Sequence, residues 1–258
     1  MSEKGPELAF PFAELSGYNY QIFRDPEERT ELYQHSKGLA KQIQERNIAN
    51  IVLVDRSARP IYVGLQEYWR LNISTEKMPR IFFVNPAGFS SHEHMPLSRP
   101  DEFDEFFPDD PVNRCVEGSR EDIRPEAEVI DEFKKTHSYL LDRRQESVLL
   151  FDICLHSGAT IKPVVDTMKK LGFSNLIIGT VYQPNGNPEF VRPNFWITGR
   201  KLDNDCNNTF GQDDSIYKTY DSIISNADRS QNIRGVTADL RHEIKQLIQE
   251  EYELDQRS

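Results

Sequence analysis

Val148-Leu-Leu-Phe-Asp-Ile-Cys-Leu-His-Ser-Gly-Ala-Thr-Ile161 begins as an apolar strand, meets an acid, and then turns through a run of small residues. A continuous apolar run of this length, closed by Asp152, fits a strand buried on both faces, and such strands belong to parallel sheets. The turn 156–160 opens a helix expected over residues 160–171 and ended by Gly172, after which residues 174–181 form a further buried strand closed by Gln183-Pro-Asn-Gly. Strand, helix and strand in that order imply a parallel pair joined by a right-handed crossover.

The same alternation extends upstream. Asp25-Pro-Glu-Glu is a helix start, with Asp as cap, Pro in the first turn and acids after it, and the helix is expected to reach about residue 46. Residues 48–54 are a short β-branched run leaving into the turn Asp55-Arg-Ser-Ala-Arg-Pro60; residues 61–71 have helical spacing; residues 80–84 are a second buried strand, ended by Asn85-Pro-Ala-Gly. Residues 85–120 change character, with prolines at 86, 96, 100, 108 and 111, acid pairs, His92 and His94, and no sustained period. That is long for a connection, and a solvated loop, a subunit contact and a lid remain open alternatives. Residues 121–143 resume helical spacing through Ile123, Ala127, Ile130, Phe133 and Leu140 or Leu141, residues 190–208 are aromatic and turn-rich, and helical patterns over 213–225 and 237–253 finish the chain. The fold class expected is α/β, a parallel sheet flanked by helices with a long loop insertion and a helical C-terminus. It divides into an N-terminal segment 1–25, a domain over 26–235 and a C-terminal helix over 236–258.

Composition bounds the function. The 258 residues are 37% hydrophobic and 28% charged, an ordinary globular balance with room for one large core. A net charge of −11, without dense Lys and Arg clusters interleaved with aromatics, argues against nucleic acid as the main partner. No apolar segment approaches membrane-spanning length, and residues 1–15 lack the basic end and apolar run of a signal peptide, so the expected setting is cytoplasmic, with no membrane partner. Cys115, Cys154 and Cys206 are scattered and odd in number, which suits free thiols. His92 with His94 could enter a metal site only with a third ligand, which no spacing supplies, and no metal-ligating residues are assigned.

The chemistry is expected where strands end. At the turn after residue 152, unpaired backbone N–H groups at a helix start face outward, Gly158 opens the main chain, and Ser157 and Thr160 offer hydroxyls, a combination suited to an anion. Asp152 could accept hydrogen bonds from ribose hydroxyls. The bland alternative is a small-residue turn with a hydroxyl capping the helix. Arg56 and Arg59, in the loop after the first strand, could each grip an anionic oxygen with Ser57 and the loop amides helping, or could be solvated turn residues.

These residues resemble the phosphoribosyl diphosphate motif of the type I phosphoribosyltransferase family, in which four apolar strand residues precede two adjacent acids, a few variable positions and Thr-Thr-Gly-x-Thr or a close variant. Asp152 occupies the first acid position, and Ser157, Gly158, Ala159 and Thr160 the end of the turn, with His156 beside them. The chain departs from the motif at Ile153, where the second acid usually stands, and at His156, commonly a small hydroxyl residue. The resemblance covers roughly residues 48–181. It implies that residues 157–160 hold a 5-phosphate, that Asp152 serves the ribose as the catalytic position, and that Arg56, Ser57 and Arg59 bind pyrophosphate. It implies further that Mg2+ rides on substrate oxygens, that a hood drawn from the N-terminal segment or residues 190–196 holds the nucleophile, with a base stacked on Phe195 or Trp196, and that the chain forms a homodimer.

The partner expected is thus a small anionic phosphorylated ligand, phosphoribosyl diphosphate or a nucleoside 5-phosphate. Ribosyl phosphate would pass to a nitrogen nucleophile with release of pyrophosphate. A non-catalytic nucleotide-sensing or protein-interaction module on the same fold is the alternative, and Ile153 favours it. A phosphohydrolase using Asp152 as nucleophile ranks lower, because Cys154 stands where a second Asp is needed.

Overall fold

A computed structural model of the chain describes residues 18–55, 57–73, 77–89, 124–155, 157–184, 188–201, 216–217, 222–227 and 231–257. Arg56, His156, His92, His94, Cys115, Cys206 and nearly all of the 85–120 insertion lie outside these residues.

Helix α1 (Pro26–Glu45) starts as its sequence dictates: the Asp25 carboxylate accepts from the Glu27 amide at 2.8 Å, with Pro26 in the first turn. It stops where Asn47 takes a left-handed φ of 50°, a conformation Asn tolerates better than most residues. Strand β1 (Asn50–Val54) comes after it and is buried throughout. Helix α2 (Arg59–Asn72), strand β2 (Arg80–Val84) and a 3₁₀ turn (Pro86–Phe89) come next. Helices α3 (Glu126–Thr136) and α4 (Ser138–Leu141) lead into strand β3 (Val148–Asp152). Helix α5 (Lys162–Lys170), strand β4 (Leu176–Gln183), strand β5 (Phe195–Lys201), the two-residue strands β6 (Ile216–Tyr217) and β7 (Asn226–Ala227) and helix α6 (Gln231–Asp255) complete the order.

The main sheet is β2-β1-β3-β4-β5, and every pairing in it is parallel. Alternate residues feed two cores. Ile51, Leu53, Leu149 and Phe151 join α1, α2 and α6 on one face, while Val52, Val54, Val148 and Leu150 join α3 and α5 on the other. The sheet is therefore the middle of three layers, which explains why its central strands are apolar without alternation. Helix α6 belongs to the first layer. Its Glu243, 2% exposed, accepts from the amides of Gln21, Ile22 and Phe23 at 2.6, 2.9 and 3.0 Å and so ties the start of the described chain to its end. No helix among the described residues is long and apolar enough to cross a membrane.

Three sequence expectations are corrected. The helical pattern over 213–225 is not a helix where it is described: Ile216–Tyr217 pairs antiparallel with Asn226–Ala227. The backbone at 222–223 spends its hydrogen bonds outside itself, Ile223 O accepting from the Asn85 amide at 2.8 Å and the Ile223 amide donating to Glu132 at 3.2 Å, so no intrahelical ladder forms. The helix expected over 121–143 is interrupted at His137, a 4% exposed residue whose ring stacks on Phe133 at 4.8 Å and is hydrogen-bonded to the backbone of Phe83. The turn-rich stretch 190–208 contains β5, whose apolar-polar pattern is blurred by Gly199, Arg200 and Lys201.

Candidate functional site

In a parallel sheet of order 2-1-3-4-5, the chain leaves β1 and β3 toward opposite faces, and the crevice between their carboxyl ends is where ligands of such folds sit. Here α2 packs on the first face through Ile61, Leu65 and Trp69, and α5 on the second through Val164, Val165 and Met168. Leu53 pairs with Phe151, which sets the loops after β1 and β3 side by side. These are the two loops the sequence singled out.

Ser57 and Asp152 join them. The Ser57 hydroxyl donates to Asp152 Oδ1 at 3.0 Å, and the Ile153 amide donates to the same oxygen at 2.8 Å. Asp152 is half-buried at the end of its strand. Arg59 is placed differently: its Nε and Nη2 donate to Asp55 Oδ1 and Oδ2 at 2.5 and 3.2 Å, and its guanidinium lies over the Phe83 ring at 4.1 Å. Asp55 is 1% exposed, so this fork-to-fork pair compensates a buried charge and leaves Arg59 with three of its five donors. The sequence assigned Asp55 no role. Its signal was the spacing, an acid and an Arg at i and i+4 across the entry to a helix.

In the turn after β3, Ser157 Oγ accepts from the Ala159 amide at 3.2 Å, and Gly158 O accepts from the Lys162 amide at 3.1 Å. The amides of Gly158 and Thr160 meet no acceptor among the described residues, and Thr160 is exposed. The turn therefore retains two amides without an acceptor among the described residues, one at buried Gly158 and one at exposed Thr160. The need for glycine at position 158 has a local cause: φ is +82°, and a Cβ there would lie 2.6 Å from the Val191 nitrogen. The backbone that comes closest to Gly158 is thus the chain's own. The Phe190 amide donates to Ser157 O at 2.9 Å, making residues 190–191 a third wall of the turn.

Of the two aromatics offered for base stacking, Phe195 is 6% exposed, fills the hollow at Gly179 and carries Arg46 over its ring at 5.0 Å. It is a core residue. Trp196 is 44% exposed and pairs with Thr180, which pairs in turn with Asp152. It stands level with the acid, two strands or about 10 Å away. Phe190 is also exposed.

Beyond β4 lies a second polar group. Tyr182 donates to Glu31 at 3.3 Å, Arg200 donates to the same oxygen at 3.3 Å, and His35 Nε2 is 3.8 Å from it. Burial, reinforced by Arg200, brings the His35 pKa down to about 4, so the ring is neutral at neutral pH. Burial and the Glu31 carboxylate hold the Tyr182 hydroxyl well above its ordinary range. Neither group is tuned for proton exchange near pH 7. Cys154 forms no disulfide with any of the described residues. A hollow of about 580 Å³ lies between the start of α1 and the end of α6, lined by Tyr18, Tyr20, Arg29 and Glu250 among others. None of its lining residues belongs to the loops after β1 or β3.

Among the described residues no group of three or more His, Cys, Asp or Glu side chains could hold a metal ion. No protein-family model matches the chain, and no curated protein is significantly similar to it.

Proposed function

We propose that the chain is a type I phosphoribosyltransferase-like protein that binds phosphoribosyl diphosphate or a nucleoside 5-phosphate in the crevice between β1 and β3. One observation supports this above the rest: the loop expected to bind pyrophosphate and the loop expected to bind the 5-phosphate and ribose meet at the sheet's switch point, Ser57 against Asp152 at 3.0 Å. Residues 157–160 receive the 5-phosphate through amides and hydroxyls, and His156, preceding them in sequence, is assigned to the same ligand. Asp152 receives ribose hydroxyls, and Arg56 and Arg59 the pyrophosphate, with the loop amides at hand. Magnesium comes with the ligand, bound mainly to its oxygens.

As a transferase, the protein breaks the bond from the anomeric carbon to pyrophosphate, which leaves with the electron pair. A nitrogen nucleophile forms the new bond and gives up a proton. Positioning and compensation of the charge that builds on the sugar are then the protein's whole contribution. Among the described residues, exposed Trp196 and Phe190 are aromatic surfaces open to a flat nucleophile. A sensing role on the same site is the second reading. It is favoured by Ile153, which is 4% exposed and packed in the first core where the family presents an acid to the ligand.

Calorimetric titration with phosphoribosyl diphosphate and Mg2+ tests the site. Wild type should bind, and Asp152→Asn and Thr160→Glu should each bind at least about tenfold more weakly, since each removes or repels a charged partner. Thr160 is exposed, so its variant keeps the fold. Absence of wild-type binding at millimolar ligand sinks the proposal; binding without pyrophosphate release on addition of nucleobases selects the sensor.

A further inference from the structure

A side-chain hydrogen bond joins the two ligand loops, and its direction is informative. Ser57 Oγ lies 3.0 Å from Asp152 Oδ1. An ionised carboxylate only accepts, so the single hydroxyl proton of Ser57 points at Asp152. A phosphate oxygen also only accepts, and one proton cannot serve both. As folded, Ser57 offers an approaching phosphate lone pairs in place of a donor. Ser157 differs: its oxygen accepts from the Ala159 amide, which leaves its proton to give.

Seen from Asp152, two donors converge on Oδ1, the Ser57 hydroxyl from one loop and the Ile153 amide at 2.8 Å from the other. The Ile153 amide is fixed by the backbone immediately after β3. Both donors restrict the rotation of the carboxylate, and rotating it away breaks at least one charge-assisted bond. A carboxylate held in this way faces hydroxyl donors with little ordering left to do on binding.

Resting on the phosphoribosyl reading above, we infer that Ser57 is a positioning residue that orients Asp152 for the hydroxyls of the ligand's sugar, and is not a ligand of pyrophosphate. The site then has a division of labour set by proton supply: hydroxyl-bearing parts of the ligand depend on Ser57, phosphate-only parts do not.

The test titrates the full chain by calorimetry with two separate probes, ribose 5-phosphate and magnesium pyrophosphate, in wild type, Ser57→Ala, Ser57→Thr, Ser57→Cys, Asp152→Ala and the Ser57→Ala/Asp152→Ala pair. Loss of a hydrogen bond to a charged group predicts that Ser57→Ala weakens ribose 5-phosphate about tenfold while changing pyrophosphate by less than about twofold. Ser57→Thr keeps the hydroxyl and should stay within about threefold of wild type for both probes; Ser57→Cys, nearly isosteric but a weak donor, should behave as the alanine variant does and stands in for it should that variant unfold. In the Asp152→Ala background, Ser57→Ala should add less than about twofold, the mark of two residues acting as one unit. Equal weakening of both probes by Ser57→Ala, or full additivity in the cycle, overturns the inference and makes Ser57 an ordinary phosphate ligand. A wild type that binds neither probe removes the phosphoribosyl reading and this inference with it. A wild type that binds both, combined with the overturning pattern, removes the inference alone.

Discussion

Two neighbouring parallel strands, β1 and β3, each carry an acid at the carboxyl end, and the two acids have opposite fates. Asp55 is 1% exposed and gripped by Arg59 in a two-bond fork that is capped by the Phe83 ring. Asp152, one strand over, is half-buried and is touched by a serine hydroxyl and a backbone amide. Their positions explain the divergence. Asp55 lies one residue past the end of its strand, where its amide donates to Val84 O at 2.8 Å and the entering helix α2 supplies a guanidinium one turn on. Asp152 is the last residue of its strand, and a helix arrives only ten residues later, at Lys162. A strand-end acid close to a helix start is paired by that helix; one followed by a longer turn takes its hydrogen bonds from the loops around it.

The largest expected effect tests the sealed side. Asp55→Asn leaves the Arg59 guanidinium without its countercharge in a site shielded by Phe83, and breaking a buried pair by removing one partner costs roughly 4 kcal/mol. Urea unfolding should register the loss as a lower midpoint at an unchanged slope. A cost below about 1 kcal/mol, the range of exposed pairs, would erase the distinction between the two acids.

How much of this contrast could be read from the sequence depends on the same physics. Both strands and both loops were legible, because β1 and β3 are buried on two faces and carry an unbroken apolar signal. The meeting of the two loops was legible only through the resemblance, since strand order is a long-range property that no local pattern encodes. The partner of Arg59 was missed because an Arg in a turn looks solvated until the depth of the preceding acid is known. The 213–225 error has the same root: Ile223 sits in the second core as a helical residue would, yet its backbone is held by Asn85 and Glu132, residues about 90 and more positions away in sequence. Strand β5, at the sheet's edge, is diluted by Gly199 and two basic residues, as edge strands often are.

A second sealed group sharpens the comparison through pH. His35 is 3% exposed beneath Tyr182, facing the Glu31 carboxylate, with the Arg200 guanidinium nearby, and its pKa is down at about 4 from an ordinary 6.5. The unfolded chain takes up a proton there below pH 6.5, while the folded chain resists until about pH 4, so stability falls as pH drops through that window. At about 1.4 kcal/mol for each pKa unit, the loss reaches roughly 3 kcal/mol at pH 4. His137, also lowered by burial, adds in the same direction. Unfolding monitored from pH 7 to pH 4 should be markedly flatter in His35→Gln, and equal slopes in variant and wild type would mean that the ring is not sealed.

The smallest effect is the most discriminating. Asp152→Asn removes the charge but keeps an oxygen at Oδ1, so the Ser57 hydroxyl and the Ile153 amide both retain their acceptor. The strength of these two bonds changes at a half-buried site, and the expected change in folding stability is within about 1 kcal/mol, against several for Asp55→Asn. The two variants make the same chemical substitution on adjacent strands of one sheet, so differences in composition, unfolded chain and method cancel between them. If Asp152→Asn instead costs as much as Asp55→Asn, its carboxylate is a structural charge compensated from several sides. The crevice between β1 and β3 would then be a packed joint, and weakened ligand binding in that variant would report damage to the fold in place of loss of a contact.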